Sequence, residues 1–329
     1  MRADDLVALL GLPHTDPRVE AALVQHAVRN RPAIKIDNDD SDGPVVETQS
    51  WVKNSRGGIE FGFDDEAAWL GLDETEYGRR PMLLTQLYFY GQHQGVRPYQ
   101  GELPLGFRLS DTRAAVRQKM APCDATRHSH LRDTWDTPAY RVTVGYAEGG
   151  QCIEVVLCML REPPLPSLPY ALPPVPSVES LTALFGSPLD DPAVKQALEP
   201  LGLKNRIDDI RDSGEADFSH PYGLIVNFSA PQDRKARSAN DTLLSSMTFL
   251  RERELGGRGW TGALPYGLDF DDSPEMAATK LGRPPDLQED DDFSGTATWK
   301  QAEFTLHILY SSIENRVSRV GLIAPGLTA

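Results

Sequence analysis

Leu6-Val7-Ala8-Leu9-Leu10-Gly11-Leu12-Pro13 reappears as Leu181-Thr182-Ala183-Leu184-Phe185-Gly186-Ser187-Pro188. The match continues without a gap through Asp16-Pro17-Arg18-Val19 against Asp191-Pro192-Ala193-Val194, and ends at Ala22-Leu23 against Ala197-Leu198. Ten of the eighteen positions are identical, which a non-repetitive chain does not give by chance. The correspondence goes on downstream. Gly58-Ile59-Glu60-Phe61-Gly62-Phe63 matches Gly223-Leu224-Ile225-Val226-Asn227-Phe228, and Leu83 to Phe89 matches Leu243 to Phe249. Tyr99-Gln100-Gly101-Glu102-Leu103-Pro104-Leu105-Gly106-Phe107 matches Trp260-Thr261-Gly262-Ala263-Leu264-Pro265-Tyr266-Gly267-Leu268. Trp135 then pairs with Trp299, Tyr140 with Phe304 and Tyr146 with Tyr310. Because the order is kept throughout, residues 1–160 and 178–329 read as two diverged copies of one domain. Residues 161–177 lie between them, and seven of the seventeen are proline. Proline fixes φ and removes a donor, so the segment is expected to be an extended, semi-stiff connector. It holds two PxxP spacings, but a domain boundary already explains its composition.

Each copy opens with a short helix, a Gly-x-Pro break and a second helix. Asp16 before Pro17, and Asp191 before Pro192, have the form of an N-cap followed by proline at the first helical position. Gly11 and Gly186 close the first helix. The second helix of the first copy is expected to lose its pattern near Arg31-Pro32. Alternating strands are expected at Ala33 to Ile36 and Ile59 to Phe63, with a more buried run at Leu83 to Tyr90. A tight Gly-x-Leu-Pro-x-Gly turn leads into a third helix, Asp111 to Met120, with Ser110 as its cap. Strands near Thr134-Trp135, at Tyr140 to Tyr146 and at Cys152 to Leu160 complete the copy. Short polar turns such as Glu148-Gly149-Gly150 favour antiparallel pairing. The expected fold is therefore α+β: two tandem homologous domains, each an antiparallel sheet with helices packed on one face.

Composition narrows the function. Among the 329 residues, 33 are Lys or Arg and 48 are Asp or Glu, a formal net charge of −15. Residues 1–160 carry 17 basic and 23 acidic side chains, or −6; residues 161–329 carry 16 and 25, or −9. Neither half offers the clustered cations that nucleic acid requires. A basic protein partner fits the charge better. No window approaches the roughly 18 apolar residues of a membrane-spanning helix. The acidic opening Met1-Arg2-Ala3-Asp4-Asp5-Leu6 does not resemble a signal peptide, so a cytoplasmic location is expected. Cys123, Cys152 and Cys158 are read as buried free thiols.

No nucleophile elbow, phosphate loop, dinucleotide fingerprint or His-Glu-x-x-His pair occurs, so neither enzymatic activity nor a cofactor is expected. Gly256-Gly257-Arg258-Gly259 reads as a loop. His128 and His130 suit a solvated edge, with a metal pair as the alternative. The run Asp37-Asn38-Asp39-Asp40-Ser41-Asp42-Gly43 places Asn38, Asp40 and Asp42 in calcium-loop register. Its closing position is Gln49, however, where a bidentate glutamate is wanted. A solvated loop and a partner-facing loop are the competing readings, and no metal is assigned. The run Glu289-Asp290-Asp291-Asp292 is read in the same way. Trp135 and Trp299 recur at strand positions and are expected in the cores. Trp51 and Trp69 have no repeat partner of the same type and are candidate contacts. The candidate partner-binding residues are therefore Asp37, Asp39, Asp40, Asp42, Trp51, Trp69, Glu289, Asp290, Asp291 and Asp292.

The Leu264-Pro265-Tyr266-Gly267-Leu268 turn, the helix ending Lys280-Leu281-Gly282-Arg283-Pro284 and the Trp299 strand resemble the helix-plus-sheet module of BamE-like (SmpA/OmlA) proteins and of the beta-lactamase inhibitor protein. The paired openings and turns also resemble bacterial immunity proteins that accompany polymorphic or type VI secretion toxins. That resemblance implies a non-enzymatic inhibitor that binds one cognate toxin in the producing cell. A basic nuclease is the target class suited to the charge. A two-copy adaptor and a metal-assisted hydrolase are the competing readings.

Overall fold

The computed structural model describes residues 2–37, 45–93, 95–123, 126–230, 242–291 and 293–327, and in it the repeated opening folds the same way twice. The first helices, α1 (Ala3–Val7) and later α5 (Val178–Thr182), each run into a turn that ends at a glycine with positive φ. There the amide of Gly11 donates to the Leu84 carbonyl, 2.8 Å away, and the amide of Gly186 to that of Leu244, 3.0 Å away. Leu84 and Leu244 return amide bonds to Leu12 and Ser187, both 2.9 Å. The glycine thus turns the opening back onto the third strand of the sheet. This explains why Leu-x-x-Leu-x-Gly-x-Pro recurs at both places.

The remaining elements of the first half are α2 (Pro17–Gln25), β1 (Lys35–Asp37), β2 (Val45–Glu47), β3 (Gln49–Asn54), β4 (Ile59–Asp65), α3 (Glu66–Trp69), β5 (Met82–Tyr90), α4 (Arg113–Lys119), β6 (Thr126–His128), β7 (Arg132–Asp136), β8 (Tyr140–Tyr146) and β9 (Ile153–Leu160). The second half has α6 (Pro192–Leu198), α7 (Ile207–Ser213), β10 (Glu215–Phe218), α8 (Ser219–Tyr222), β11 (Leu224–Ser229), β12 (Leu243–Leu250), α9 (Pro274–Leu281), β13 (Leu287–Asp290), β14 (Ser294–Lys300), β15 (Thr305–Ser311) and β16 (Arg316–Ile323). Among the described residues, each half holds one seven-stranded antiparallel sheet. The spatial orders are β3-β4-β5-β9-β8-β7-β6 and β10-β11-β12-β16-β15-β14-β13. These are the same topology, and every neighbouring pair is antiparallel. The fold is α+β, as expected. A separate ribbon pairs β1 with β2.

The chain divides into two compact units, Met1–Ser167 and Leu168–Ala329. The division falls inside the proline-rich stretch, where residues 161–177 form no helix or strand. Each unit has its own apolar core. Leu6, Leu23, Phe61, Phe89 and Trp135 are buried in the first, and Leu181, Leu198, Val226, Phe249 and Trp299 in the second. The two tryptophans are therefore core residues, as the repeat implies.

Three local expectations need correction. The helix α2 ends at Gln25, before Arg31-Pro32, because the chain enters a positive φ at Ala27 and its polypeptide turns away. The helix α4 begins at Arg113 and is capped by Thr112, whose hydroxyl accepts from the Ala115 amide at 3.3 Å. Asp111 is taken instead by the Arg108 amide at 2.8 Å and Lys119 Nζ at 2.6 Å. The second unit repeats this arrangement with Asp272, the Asp269 amide and Lys280. Of the three free cysteines only Cys158 is buried; Cys123 and Cys152 are half-buried.

The Leu-Pro-x-Gly turns hold a conformational cost in both copies. Leu105 sits at φ 59° and Tyr266 at φ 58°, each followed by a glycine at positive φ. Two consecutive left-handed residues suit Asn-Gly far better than Leu-Gly or Tyr-Gly. Leu105 and Tyr266 are 36% and 47% exposed, and Tyr266 keeps a tilted ring contact with Phe304, centroids 6.2 Å apart. Leu105→Asn and Tyr266→Asn are each expected to stabilise the protein by about 0.5–1 kcal/mol. The check is a higher urea midpoint at unchanged slope; a lower midpoint would contradict the strain argument.

Candidate partner-binding surface

The face of the first sheet that turns away from its core carries the clearest group of contact-type side chains. Strand register places Trp51, Gly62, Gln86, Met159, Arg141 and Asp136 in one row across this face. The next row holds Lys53, Glu60, Tyr88, Leu157, Thr143, Thr134 and Arg127. Gly62 makes room for the Trp51 indole: a Cβ built there would lie 2.9 Å from Trp51 Nε1 and from Gln86 Cβ. Trp51 stays 45% exposed. The Tyr88 hydroxyl donates to Gln86 Oε1 at 2.7 Å, and the Tyr90 hydroxyl to Glu60 Oε2 at 2.7 Å. The two tyrosine rings stack with centroids 6.1 Å apart and an interplanar angle of 12°. Burial and the nearby Glu60 charge push the Tyr88 hydroxyl up to about 12, so it stays a neutral donor. His93 continues the line, with its ring 5.3 Å from Tyr90 and Nδ1 3.2 Å from Glu154 Oε1. Bound in this chain, the aromatic side chains lose little rotamer freedom when a partner covers them.

The second sheet has the same rows with different chemistry. Glu215, Asn227, Ser246, Ile323, Thr305 and Lys300 stand in the row of Trp51; Asp217, Ile225, Thr248, Gly321, His307, Thr298 and Leu287 stand in the row of Tyr88. The aromatic group therefore belongs to the first copy.

The other sequence-derived residues fall in different places. The side chain of Asp37 and the whole of Asp39, Asp40 and Asp42 lie outside the described residues, as does Asp292. Gln49, the closing position of the calcium-loop register, gives its amide to Asp64 Oδ1 at 2.8 Å. Trp69 closes α3 and is half-buried. Glu289 and Asp290 are in β13 and Asp291 follows it, so the first half of this acidic run is strand where a loop was expected. Asp290 accepts from the Tyr310 hydroxyl, and Asp291 Oδ1 accepts from the amides of Phe293 and Ser294 at 2.7 and 2.6 Å. No group of three or more His, Cys, Asp or Glu able to hold a metal occurs among the described residues. His128 Nδ1 lies 3.0 Å from Asp133 Oδ1.

That aspartate marks a cluster missed in the sequence. Asp133 is fully buried on the core face of β7, two residues before Trp135. Arg113 bonds its carboxylate at 2.6 and 3.1 Å, and Arg117 bonds it twice at 2.8 Å. The Tyr146 hydroxyl donates at 3.1 Å, and Arg113 lies 5.1 Å from the Tyr146 ring centroid. Burial pushes the Asp133 carboxyl up, but the two arginines outweigh it and hold the group at about 2. The available signal was Arg113 and Arg117 four residues apart on one helix face, together with an aspartate in phase with a core tryptophan. In the second unit the matching positions are Pro274, Ala278 and Ala297. The cluster ties α4 to β7, and its charges are satisfied by one another.

No family model matches the chain, and no curated protein matches it. One solved structure with some likeness is a thioesterase II candidate from Thermobifida fusca YX, 10% identical over 73% of this chain and 91% of that chain, with a TM-score of 0.14. A likeness at that level carries no argument about fold or activity. No helix among the described residues is long and apolar enough to cross a membrane.

Proposed function

We propose that this protein is a non-enzymatic immunity protein that binds and neutralises a cognate secreted bacterial toxin, a basic protein such as a nuclease, in the cytoplasm of the producing cell. The observation that carries the reading is exposed Trp51 in the row beside the stacked Tyr88 and Tyr90, whose hydroxyls are held by Gln86 and Glu60, on a chain of net charge −15. Ordered aromatics are the side chains that dominate tight protein interfaces, and surplus acid accelerates encounter with a basic partner. Because the second copy has Ile225 and Thr248 where the first has Glu60 and Tyr88, one toxin is bound per chain through this face.

The test is co-purification with the product of the adjacent gene, followed by measurement of protection against it. Trp51→Ala is expected to weaken the complex by about 30-fold, roughly 2 kcal/mol, with the fold unchanged. Full affinity in Trp51→Ala and Tyr90→Ala variants would move the interface elsewhere. Absence of any protection would remove the immunity reading itself.

A further inference from the structure

The outer edge of the second sheet joins three properties that the first sheet does not combine. β13 is the last strand of its sheet: one rim is paired with β14, and the other meets no strand among the described residues. All four of its residues are exposed. Its first residue, Leu287, is 56% exposed, and Phe293, just beyond its end, is 70% exposed. The strand is also acidic, through Glu289, Asp290 and the following Asp291. The matching edge of the first sheet, β6, is three residues long and carries Arg127 and His128, with Arg127 buried against Asp136.

Register shows how β13 is prepared. Gln288 and Asp290 oppose Ala297 and Gly295 on the core side, where both bond the Tyr310 hydroxyl. Leu287 and Glu289 oppose Thr298 and Thr296 on the opposite face. Tyr310 therefore holds two side chains of the strand against the sheet. The other two point to the face where an added strand would bring its own side chains. An open rim offers backbone amides and carbonyls in the spacing an added strand needs, and such rims are ordinarily guarded by short length, charge, proline or a covering element. Here the guard is short length and acidic charge, which repels acidic strands and leaves the rim to a basic one.

We propose that β13 takes an extended basic segment of another protein by strand addition. Main-chain hydrogen bonds supply the pairing, and lysines or arginines on the face shared with Leu287 and Glu289 meet the Glu289 carboxylate while their alkyl stems pack on Leu287. If the immunity reading is right the segment belongs to the toxin, but the strand-addition proposal does not need the toxin for its test.

The probe is the synthetic peptide KVKVKVK, with capped ends, added to the full chain. Hydrogen exchange read by mass spectrometry is expected to show new protection over residues 287–290. The acidic peptide EVEVEVE should give none. A KVKVKVK peptide N-methylated at every residue keeps its charge but has no amide to donate from either edge, so it should bind at least tenfold more weakly. Glu289→Lys, an exposed substitution, should weaken the parent peptide at least tenfold. Equal binding of the N-methylated peptide would overturn strand addition in favour of simple charge attraction. Protection confined to other segments would also overturn it. A dimer in sedimentation that the peptide dissociates would assign the edge to a second copy, which also overturns the proposal. Loss of toxin protection with peptide binding intact would remove the immunity reading alone, and the reverse result would remove strand addition alone.

Discussion

Gly58→Ala is expected to destabilise the first unit by about 3 kcal/mol or more, and Gly223→Ala to do the same to the second. Both glycines have positive φ, 68° and 62°, which alone costs an alanine roughly 1 kcal/mol. The larger part is steric. A Cβ at Gly58 would lie 2.4 Å from the Arg97 carbonyl oxygen and the Tyr99 nitrogen; at Gly223 it would lie 2.2 Å from backbone atoms of Gly259 and Trp260. Backbone cannot swing aside as a flexible side chain can. The close approach is built into the fold. The Tyr90 amide donates to Gly58 O at 2.9 Å, and the Tyr99 amide returns to Tyr90 O at 2.8 Å. Leu250, Gly223 and Trp260 repeat both bonds at 2.8 Å. Gly106→Ala and Gly267→Ala separate the two effects, since both have positive φ but no atom within 4 Å of the added Cβ. Denaturation of the four variants is expected to place Gly58→Ala and Gly223→Ala about 2 kcal/mol below the other pair. Equal losses in all four would show that close packing contributes nothing. Because the chain has two units, each variant is read from the transition of its own unit.

Asp133→Ala is expected to cost the first unit about 3 kcal/mol, because it leaves half-buried Arg113 and the more exposed Arg117 without their shared buried acceptor. The second unit shows how the loss is recovered. Its residues at these positions are Pro274, Ala278 and Ala297, with Pro274 at the first helical position, where proline is well tolerated. The triple variant Arg113→Pro, Arg117→Ala, Asp133→Ala is expected to regain most of the stability. A triple variant no better than Asp133→Ala would show that the ion cluster contributes far more than apolar replacement can. The same comparison has a pH signature. The Asp133 carboxyl is held below its unfolded value, so its contribution is present above about pH 4 and is lost as pH falls through about 2. Over that window the parent protein is expected to lose about 2 kcal/mol more than the triple variant. Asp136 is also held at about 2, by Arg127 and Arg141 against the upward push of burial, but it is common to both proteins and cancels.

Much of the fold was legible because it follows from short-range rules that occur twice. Asp16 and Asp191 cap their helices as their position before proline implies, accepting from the amides of Arg18 and Ala193. Trp135 and Trp299 occupy strand positions in phase with apolar neighbours and lie in the two cores. The start of α4 was misplaced because Ser110 is a good cap by composition, but Thr112 takes that place, and Asp111, expected as the first helical residue, is held by Lys119 and the Arg108 amide. The strand β13 was hidden in an acidic run of low strand preference, and it forms because β14 and Tyr310 hold it.

By itself the sequence determined the duplication, the α+β class, the helix starts at the repeated Asp-Pro, and the charge that disfavours nucleic acid. Each depends on residues close in the chain or on totals over it. Only the tertiary structure decided that Trp51, Gly62, Tyr88 and Tyr90 form one group, that Asp133 is shared by two arginines, and that the acidic run is a sheet edge. Those depend on strand register across dozens of residues, where a shift of one position would turn every side chain to the other face.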